Sequence, residues 1–229
     1  MKDWDPLDYD AWYRTPLGEA SDRLEKDLVF SMAGVKAGDK ALDAGCGTGI
    51  YTIELLRRGA LATGADNSEA MLSAARAKAL REGLKMEFIT ADAARLPFPD
   101  GHFDIVISIG MLCFIKEGDR ALTEMHRVLK PGGRLVVGLL NRWSPWALLR
   151  RIKGLFRETV YNEAGFFSPP EIATALAKAG FDVKEVRTCI FFLPVNCRIY
   201  LRFAVPFERL GSIMMPRMGA FLAASAVKP

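Results

Sequence analysis

The stretch ALDAGCGTGIYT, residues 41–52, constrains this chain more than any other. A short apolar run ends in an acid, Asp43. Glycines follow at 45, 47 and 49, and helix-forming residues resume at Ile50. Glycines at such a turn let the main chain approach a ligand closely, and the first turn of the following helix leaves N–H groups unpaired. A strand that feeds a helix through this loop predicts an α/β fold with a small-molecule site at the turn.

The rest of residues 40–140 keeps the same rhythm. KALDAG, LATGAD, KMEFITAD, FDIVISIG and RLVVGLL read as strands. Between them GIYTIELLRRG, SEAMLSAARAKALREG (with Ser68 as N-cap) and RALTEMHRVLK read as helices, the last expected to stop at Pro131-Gly132-Gly133. Repeats of this length predict parallel strands with helices on both faces of the sheet. After residue 141 the pattern changes. SPWALLRRIKGLFR predicts a helix with Ser144 as cap and Pro145 in the first turn, and SPPEIATALAKAGF one with Ser168 and Glu171 in capping-box spacing. DVKEVRTCIFF and GAFLAASAVK predict two late strands, so residues 141–180 read as an insert within one domain.

Two cofactor classes use a glycine turn of this kind. A dinucleotide fold requires G-x-G-x-x-G or A, whereas position 50 here is Ile and the third glycine comes one residue early. A carboxylate beside a pyrophosphate would repel it, but it suits a ligand carrying an ammonium and a sulfonium. With the segments GADNSEAML, FITADAARLPFPDGHFD and LTEMHRVLKPGGRLVV behind it, D-x-G-x-G-x-G resembles the class I S-adenosylmethionine (SAM)-dependent methyltransferases. Within them the chain is most similar to the small-molecule branch that includes ubiquinone/menaquinone-type enzymes (methyltransferase type 11-like). The resemblance covers residues 41–140, with all four segments in order.

That resemblance implies a Rossmann-like fold: a seven-stranded, mostly parallel sheet of order 3-2-1-4-5-7-6 with helices on both faces. It implies one domain over 1–229, divided into an N-terminal helical lid (1–35), a SAM-binding core (36–140), a basic aromatic insert over the acceptor site (141–180) and the last strands (181–229). It assigns SAM binding to Asp43, Ala44, Gly45, Cys46, Gly47 and Gly49 in the loop, although for Cys46 any small residue suffices. Asp66, ending the second strand, is implied to accept the ribose hydroxyls, with Asn67 and Met71 packing beside it. Asp92 is implied at the adenine amino group and Ala93 at the ring, and Ile109 on the donor pocket. In YDAWYRTPLGE, Tyr9, Trp12 and Tyr13 are implied to form the lid, a tyrosine reaching the methionine end; Tyr13 is the cofactor-binding candidate.

The implied reaction moves a methyl group from SAM to a small acceptor, releasing S-adenosylhomocysteine (SAH). The sulfonium is already activated, so the protein mainly aligns the partners and excludes water. A phenol or alcohol acceptor would also require a base. The candidates for one read structurally: His102 as a solvent-facing turn residue, His126 as a helix residue, Asp104 as a cap and Cys113 as core. No catalytic residue is assigned, and no metal-ligand spacing is present among the four cysteines.

Charge points to the acceptor. Residues 1–140 carry 18 Lys+Arg and 21 Asp+Glu; residues 141–229 carry 13 and 6. The basic second part contains a predicted helix, 144–157, on which Trp143, Trp146, Leu149 and Phe156 lie beside Arg150, Arg151 and Lys153. Such a helix either caps a hydrophobic acceptor pocket or meets an anionic membrane surface, and RFAVPFERLGSIMMPRMGAFL is expected to line the same pocket or the core. The acceptor is therefore expected to be small and hydrophobic or anionic, resembling a quinone or lipid precursor. A polar metabolite and a non-catalytic SAM-binding protein are the alternatives. Nucleic acid is disfavoured as a partner, because SIGM stands where base methylases carry an N-P-P-Y-type motif. CIFFLPVNCRIYLRFAVPF is broken by Arg198, Arg202 and two prolines, short of the ~18 apolar residues a membrane span needs. With no signal-peptide pattern at the N-terminus, a cytoplasmic location, peripheral to the membrane through the 144–157 helix, is expected.

Overall fold

A computed structural model describes residues 5–229, so the first four residues of the expected 1–35 lid lie outside the described residues. The chain begins with helices α1 (Pro6–Tyr13) and α2 (Pro16–Ala33) and then alternates: β1 (Lys40–Ala44), α3 (Ile50–Arg57), β2 (Leu61–Asp66), α4 (Glu69–Arg81), β3 (Glu87–Thr90), β4 (Phe103–Ile109), α5 (Gly118–Val128) and β5 (Leu129–Leu140). The second part adds α6 (Pro145–Phe156), α7 (Pro169–Lys178), β6 (Asp182–Cys189), α8 (Arg198–Leu201), α9 (Ala204–Met214) and β7 (Phe221–Val227).

All seven strands form one sheet of order β3-β2-β1-β4-β5-β7-β6. The pairs β1–β2, β2–β3, β1–β4 and β4–β5 are parallel, while β7 runs antiparallel to both β5 and β6. The inner strands are apolar on both sides because helices cover both faces. Ile105, Ile107, Val136 and Ala223 pack under α2, and Leu42, Val106, Leu135, Val137 and Leu222 pack under α5 and α7. The predicted caps form: Ser68 and Ser144 accept from Met71 N–H and Ala147 N–H, and Ser168 and Glu171 close a capping box.

Two expectations need correction. The helix over RALTEMHRVLK does not run to Pro131; it ends at Val128, and Pro131-Gly132-Gly133 lie inside β5. The Arg127 guanidinium anchors the last helical turn, donating to Leu96 O, Phe98 O and Asp100 outside the helix and to Glu124 within it. The chain extends at once, and the Pro-Gly-Gly step is absorbed as a register shift between the pairs Phe103–Leu129 and Ile105–Arg134. Most of RFAVPFERLGSIMM forms α9, and its Phe203, Ile213 and Met214 project to the exterior rather than into a pocket or the core, whereas Phe221 at the end of the same expected segment is buried in the core. Glu208 holds α9 to the sheet by accepting the N–H groups of Ile190 and Phe191 where the chain leaves β6; Ile190 there adopts φ 67°.

Asn141 joins the insert to the end of the sheet. It is 1% exposed, its Nδ2 donates to Arg217 O (2.8 Å) and Gly219 O (2.7 Å), and its Oδ1 accepts from Trp143 N–H (3.1 Å). Replacing Asn141 by Ala strands buried carbonyls and is expected to cost about 2–4 kcal/mol in urea unfolding. A loss below about 1 kcal/mol would contradict this role for Asn141.

Candidate functional site

The strand order reverses between β1 and β4, and in open α/β sheets the carboxyl ends of the strands at such a switch form a crevice. The glycine loop lies there and is pinned to β2. Gly45 and Cys46 donate to Ala65 O (2.7 and 3.0 Å), and Gly47 donates to Asp66 Oδ2 (2.8 Å). The other Asp66 oxygen accepts from Ser68 N–H (2.9 Å), so one carboxylate fixes both the loop and the start of α4. Gly47 has φ +53, and a methyl group on it would meet no heavy atom within 4 Å. The loop therefore borders open space.

That space is a cavity of about 170 Å³. Gly45 and Gly47 line it from the loop, Asp66, Asn67 and Met71 from the end of β2 and α4, Asp92 and Ala93 from beyond β3, and Ile109 from β4. Asp92 is exposed; one oxygen accepts from Ala94 N–H (2.9 Å), and the other has no protein partner among the described residues. The arrangement combines two carboxylates, an open main-chain corner and apolar walls that include Met111 and Phe114. It fits a cationic nucleoside and would repel a pyrophosphate.

Four expected residues sit behind the cavity instead of lining it: Asp43, Ala44, Cys46 and Gly49. Asp43 is 2% exposed and accepts from the Thr52 hydroxyl (2.7 Å). Burial pushes its carboxyl up to about 7; Thr52 pulls it back and nearby Asp66 raises it further. Burial also pushes the Cys46 thiol well above its usual range. A side chain at Gly49 would stand 3.0 Å from Phe88 Cζ and 3.1 Å from Ala75 Cβ, so this glycine allows close packing of the loop on α4 and β3. Ala44 is buried in the sheet.

Helix α1 is latched across the crevice. Asp10 accepts from Thr48 Oγ1 (2.7 Å) and pairs with Lys78 Nζ (2.9 Å), tying the helix to the glycine loop and to α4. Tyr9 lines the first cavity, whereas Trp12 and Tyr13 line a second one of about 380 Å³. The two cavities share Tyr9, Ile109, Gly110 and Phe114 and so adjoin. The hydroxyls of Tyr9 and Tyr13 are 3.0 Å apart, and burial raises the pKa of both.

The second cavity contains two residues that sequence reasoning missed as site residues, Glu25 and Tyr161, together with Arg150 of the expected capping helix and Phe221 of the segment expected at the pocket or core. Arg150, expected on the charged face of its helix, lies 4.2 Å from the Tyr161 ring centre and 5.2 Å from that of Trp146. Glu25 occupies the inward stripe of α2 formed by Leu17, Ser21, Leu28 and Met32, and an acid on a buried stripe was the signal available in the sequence. The former base candidates line neither cavity. His102 stacks against Phe98, His126 packs on Phe181, and Asp104 pairs with Lys130 (2.6 Å). Cys113 is buried, its thiol pushed up to about 12, and its sulfur accepts from Leu140 N–H (3.3 Å).

Comparison with known proteins places this geometry in a family. A methyltransferase domain model matches residues 42–137. The chain is 34% identical over 171 residues to a ubiquinone biosynthesis O-methyltransferase of Pseudomonas aeruginosa, covering 71% of this chain and 72% of that protein. It is 38% identical over 170 residues to the demethylmenaquinone methyltransferase of Thermus thermophilus, covering 65% and 77%. In fold it is similar to a SAM-dependent methyltransferase from Thermotoga maritima (TM-score 0.73, 24% identity, 97% and 95% covered). A second such neighbour is the magnesium protoporphyrin IX methyltransferase of Synechocystis with bound SAH (TM-score 0.66, 24% identity, 93% and 86% covered). The chain belongs to the class I SAM-dependent methyltransferases and is an enzyme that uses SAM as its cofactor.

Proposed function

We propose that the first cavity holds SAM and the second a hydrophobic, quinone-precursor-like acceptor, so that the chain moves a methyl group between two adjoining pockets. The observation that carries this reading is the wall they share, Tyr9, Ile109, Gly110 and Phe114, which leaves the contents of one against the contents of the other. Bound SAM supplies an electrophilic methyl carbon on a sulfonium whose leaving group is neutral.

The chain's own residues bind and orient. Asp66 keeps lone pairs for two ribose hydroxyls while it holds the loop, and a carboxylate is suited to such a paired contact. The open oxygen of Asp92 and the main chain at Ala93 would meet the adenine edge, with Asn67, Met71 and Ile109 packing around the nucleoside. Gly45 and Gly47 give the amino-acid end its main-chain contacts. Asp43, Ala44, Cys46 and Gly49 act one layer back by shaping the loop, and Asp43 adds negative potential beneath a cation. Tyr9 closes the donor side and Tyr13 the acceptor side, both excluding water. The corresponding division of labour is 1–35 as lid, 36–140 as donor core, 141–180 as acceptor cover and 181–229 as the strands that complete the sheet.

The acceptor class is supported by the mainly apolar second cavity with Arg150 in it, and by relatives whose names refer to ubiquinone biosynthesis and demethylmenaquinone. Helix α6 adds a contact with the surface where such acceptors reside. Beyond Trp146 and Ala147 it is largely uncovered, with Leu155 82% and Phe156 84% exposed beside Arg151, Lys153 and Arg157. Among the described residues no helix is long and apolar enough to cross a membrane, and an amphipathic helix lying on an anionic leaflet fits this composition.

Two results test the reading. Asp92→Ala and Asp66→Ala are each expected to weaken SAM binding at least tenfold in isothermal titration; unchanged affinity in both would refute the donor site. The full chain is expected to co-sediment with vesicles containing anionic phospholipid and to lose most of that binding in the Leu155→Glu/Phe156→Glu variant. Equal sedimentation of the two proteins would remove α6 from the account.

A further inference from the structure

The second cavity is mostly apolar, yet Glu25 brings a carboxylate inside it. The structure does little to hold that charge. Among the described residues its one hydrogen bond comes from the Tyr51 hydroxyl to Oε2, at a long 3.4 Å. The neighbouring Lys26 is engaged with Asp22 (2.6 Å), and the Arg150 guanidinium lies against the rings of Tyr161 and Trp146. The other carboxylate oxygen is left without a protein partner. A charged carboxylate among apolar walls is costly unless it is paired, so half-buried Glu25, weakly satisfied and lining the cavity, is placed to meet a ligand there.

We propose that Glu25 is the proton acceptor of the reaction, taking the proton of a hydroxyl compound bound in the second cavity as the oxygen of that hydroxyl is methylated. This rests on the reading that the second cavity holds the acceptor. The hydroxyl proton moves to the Glu25 carboxylate as the acceptor oxygen uses its electron pair to bond the methyl carbon. The methyl–sulfur bond breaks with its pair remaining on sulfur, and Glu25 returns the proton to solvent after transfer. A thiolate, already ionised, would need no such group, so the presence of Glu25 favours a protonated hydroxyl acceptor over a thiol.

The surroundings suit the role. Burial pushes the Glu25 carboxyl up to about 8, nearby Asp22 adds to this, and Arg150, Tyr51 and Lys26 pull it back. A base raised towards the pKa of a phenol is a better proton acceptor than an ordinary carboxylate. Around it stand Tyr9 and Tyr13 from α1, Tyr51 from α3, Arg150 from α6, Tyr161 and Cys189. Burial holds the Tyr9, Tyr13, Tyr51 and Cys189 protons on above that range. Asp43, pushed up to about 7, lies near Tyr9 and is a second titrating acid, so the test needs the Glu25 variant and not a pH profile alone. The base works when deprotonated, so transfer to a phenol is expected to rise with pH through an inflection near 8.

The experiment uses the full chain with SAM and two probes, 2-allylphenol and 2-allylthiophenol, following SAH release. The thiophenol is ionised at neutral pH and needs no base. Glu25→Gln is expected to lower the ratio of phenol to thiophenol kcat by about 10²-fold or more, and to remove the inflection near 8. An equal fall with both probes would show a role in shape only and overturn the proposal. A readout without turnover accompanies it: 4-chlorophenol, which ionises above the range in which Glu25 loses its proton, bound to the SAH-loaded chain, with its ionisation followed by absorbance. In the native chain the charged Glu25 opposes a second negative charge, so bound chlorophenol ionises at higher pH than in Glu25→Gln. An unchanged ionisation curve overturns the proposal. A chain that binds SAM but neither binds chlorophenol nor methylates allylphenol overturns the assignment of a hydroxyl acceptor. Failure to bind SAM at all refutes the donor-site reading itself and takes the proposal with it.

Discussion

The structure depends on the clamp between the glycine loop and the end of β2. Three loop N–H groups, from Gly45, Cys46 and Gly47, are satisfied by Ala65 O and the Asp66 carboxylate. Without them a loop of alternating glycines would lose more conformational entropy on ordering than almost any other sequence. With them, the corner is rigid and Gly47 faces empty space. The same carboxylate starts α4 through Ser68 N–H, and Lys78 on α4 in turn holds Asp10 of the lid. One acid therefore connects the floor, one wall and the cover of the donor cavity.

The local parts of this arrangement were legible in the sequence because their causes are local. Ser68, Ser144 and the Ser168–Glu171 pair announce helix starts through side-chain acceptors three residues from the groups they satisfy, and each forms. The strand positions followed from apolar runs bounded by glycine and acid. The expected sheet order, carried by the resemblance, is the one observed. Errors arose where tertiary contacts override local signals. Pro131-Gly132-Gly133 reads as a helix stop, but the helix ends earlier, its last turn anchored by Arg127 to three groups outside the helix, Leu96 O, Phe98 O and Asp100. The α9 segment carries Pro206 and Gly211 and is held by Glu208 on the end of β6, a partner no sequence window reveals.

The candidate site divides the same way. Asp66, Asn67, Met71, Asp92, Ala93 and Ile109 were legible through the family resemblance, and all six line the first cavity, where the strand ends of this topology and the start of α4 face one crevice. Glu25 and Tyr161 were not, because α2 and the loop after α6 reach the second cavity only through the packing of lid and insert. Arg150 shows the limit of helical periodicity: its position reads as a solvated charged face, whereas its guanidinium is drawn inward by the rings of Trp146 and Tyr161. The apolar side chains of α6 show the converse, since Leu155 and Phe156 face outward where a globular helix would bury them.

The most direct test of the central claim is a crystal structure of the full chain with SAH. The account predicts the ribose hydroxyls on Asp66, the adenine edge at Asp92 and Ala93, and the sulfur at the wall of Tyr9, Ile109, Gly110 and Phe114, facing the second cavity. SAH bound elsewhere, or with its sulfur turned away from that wall, would contradict it.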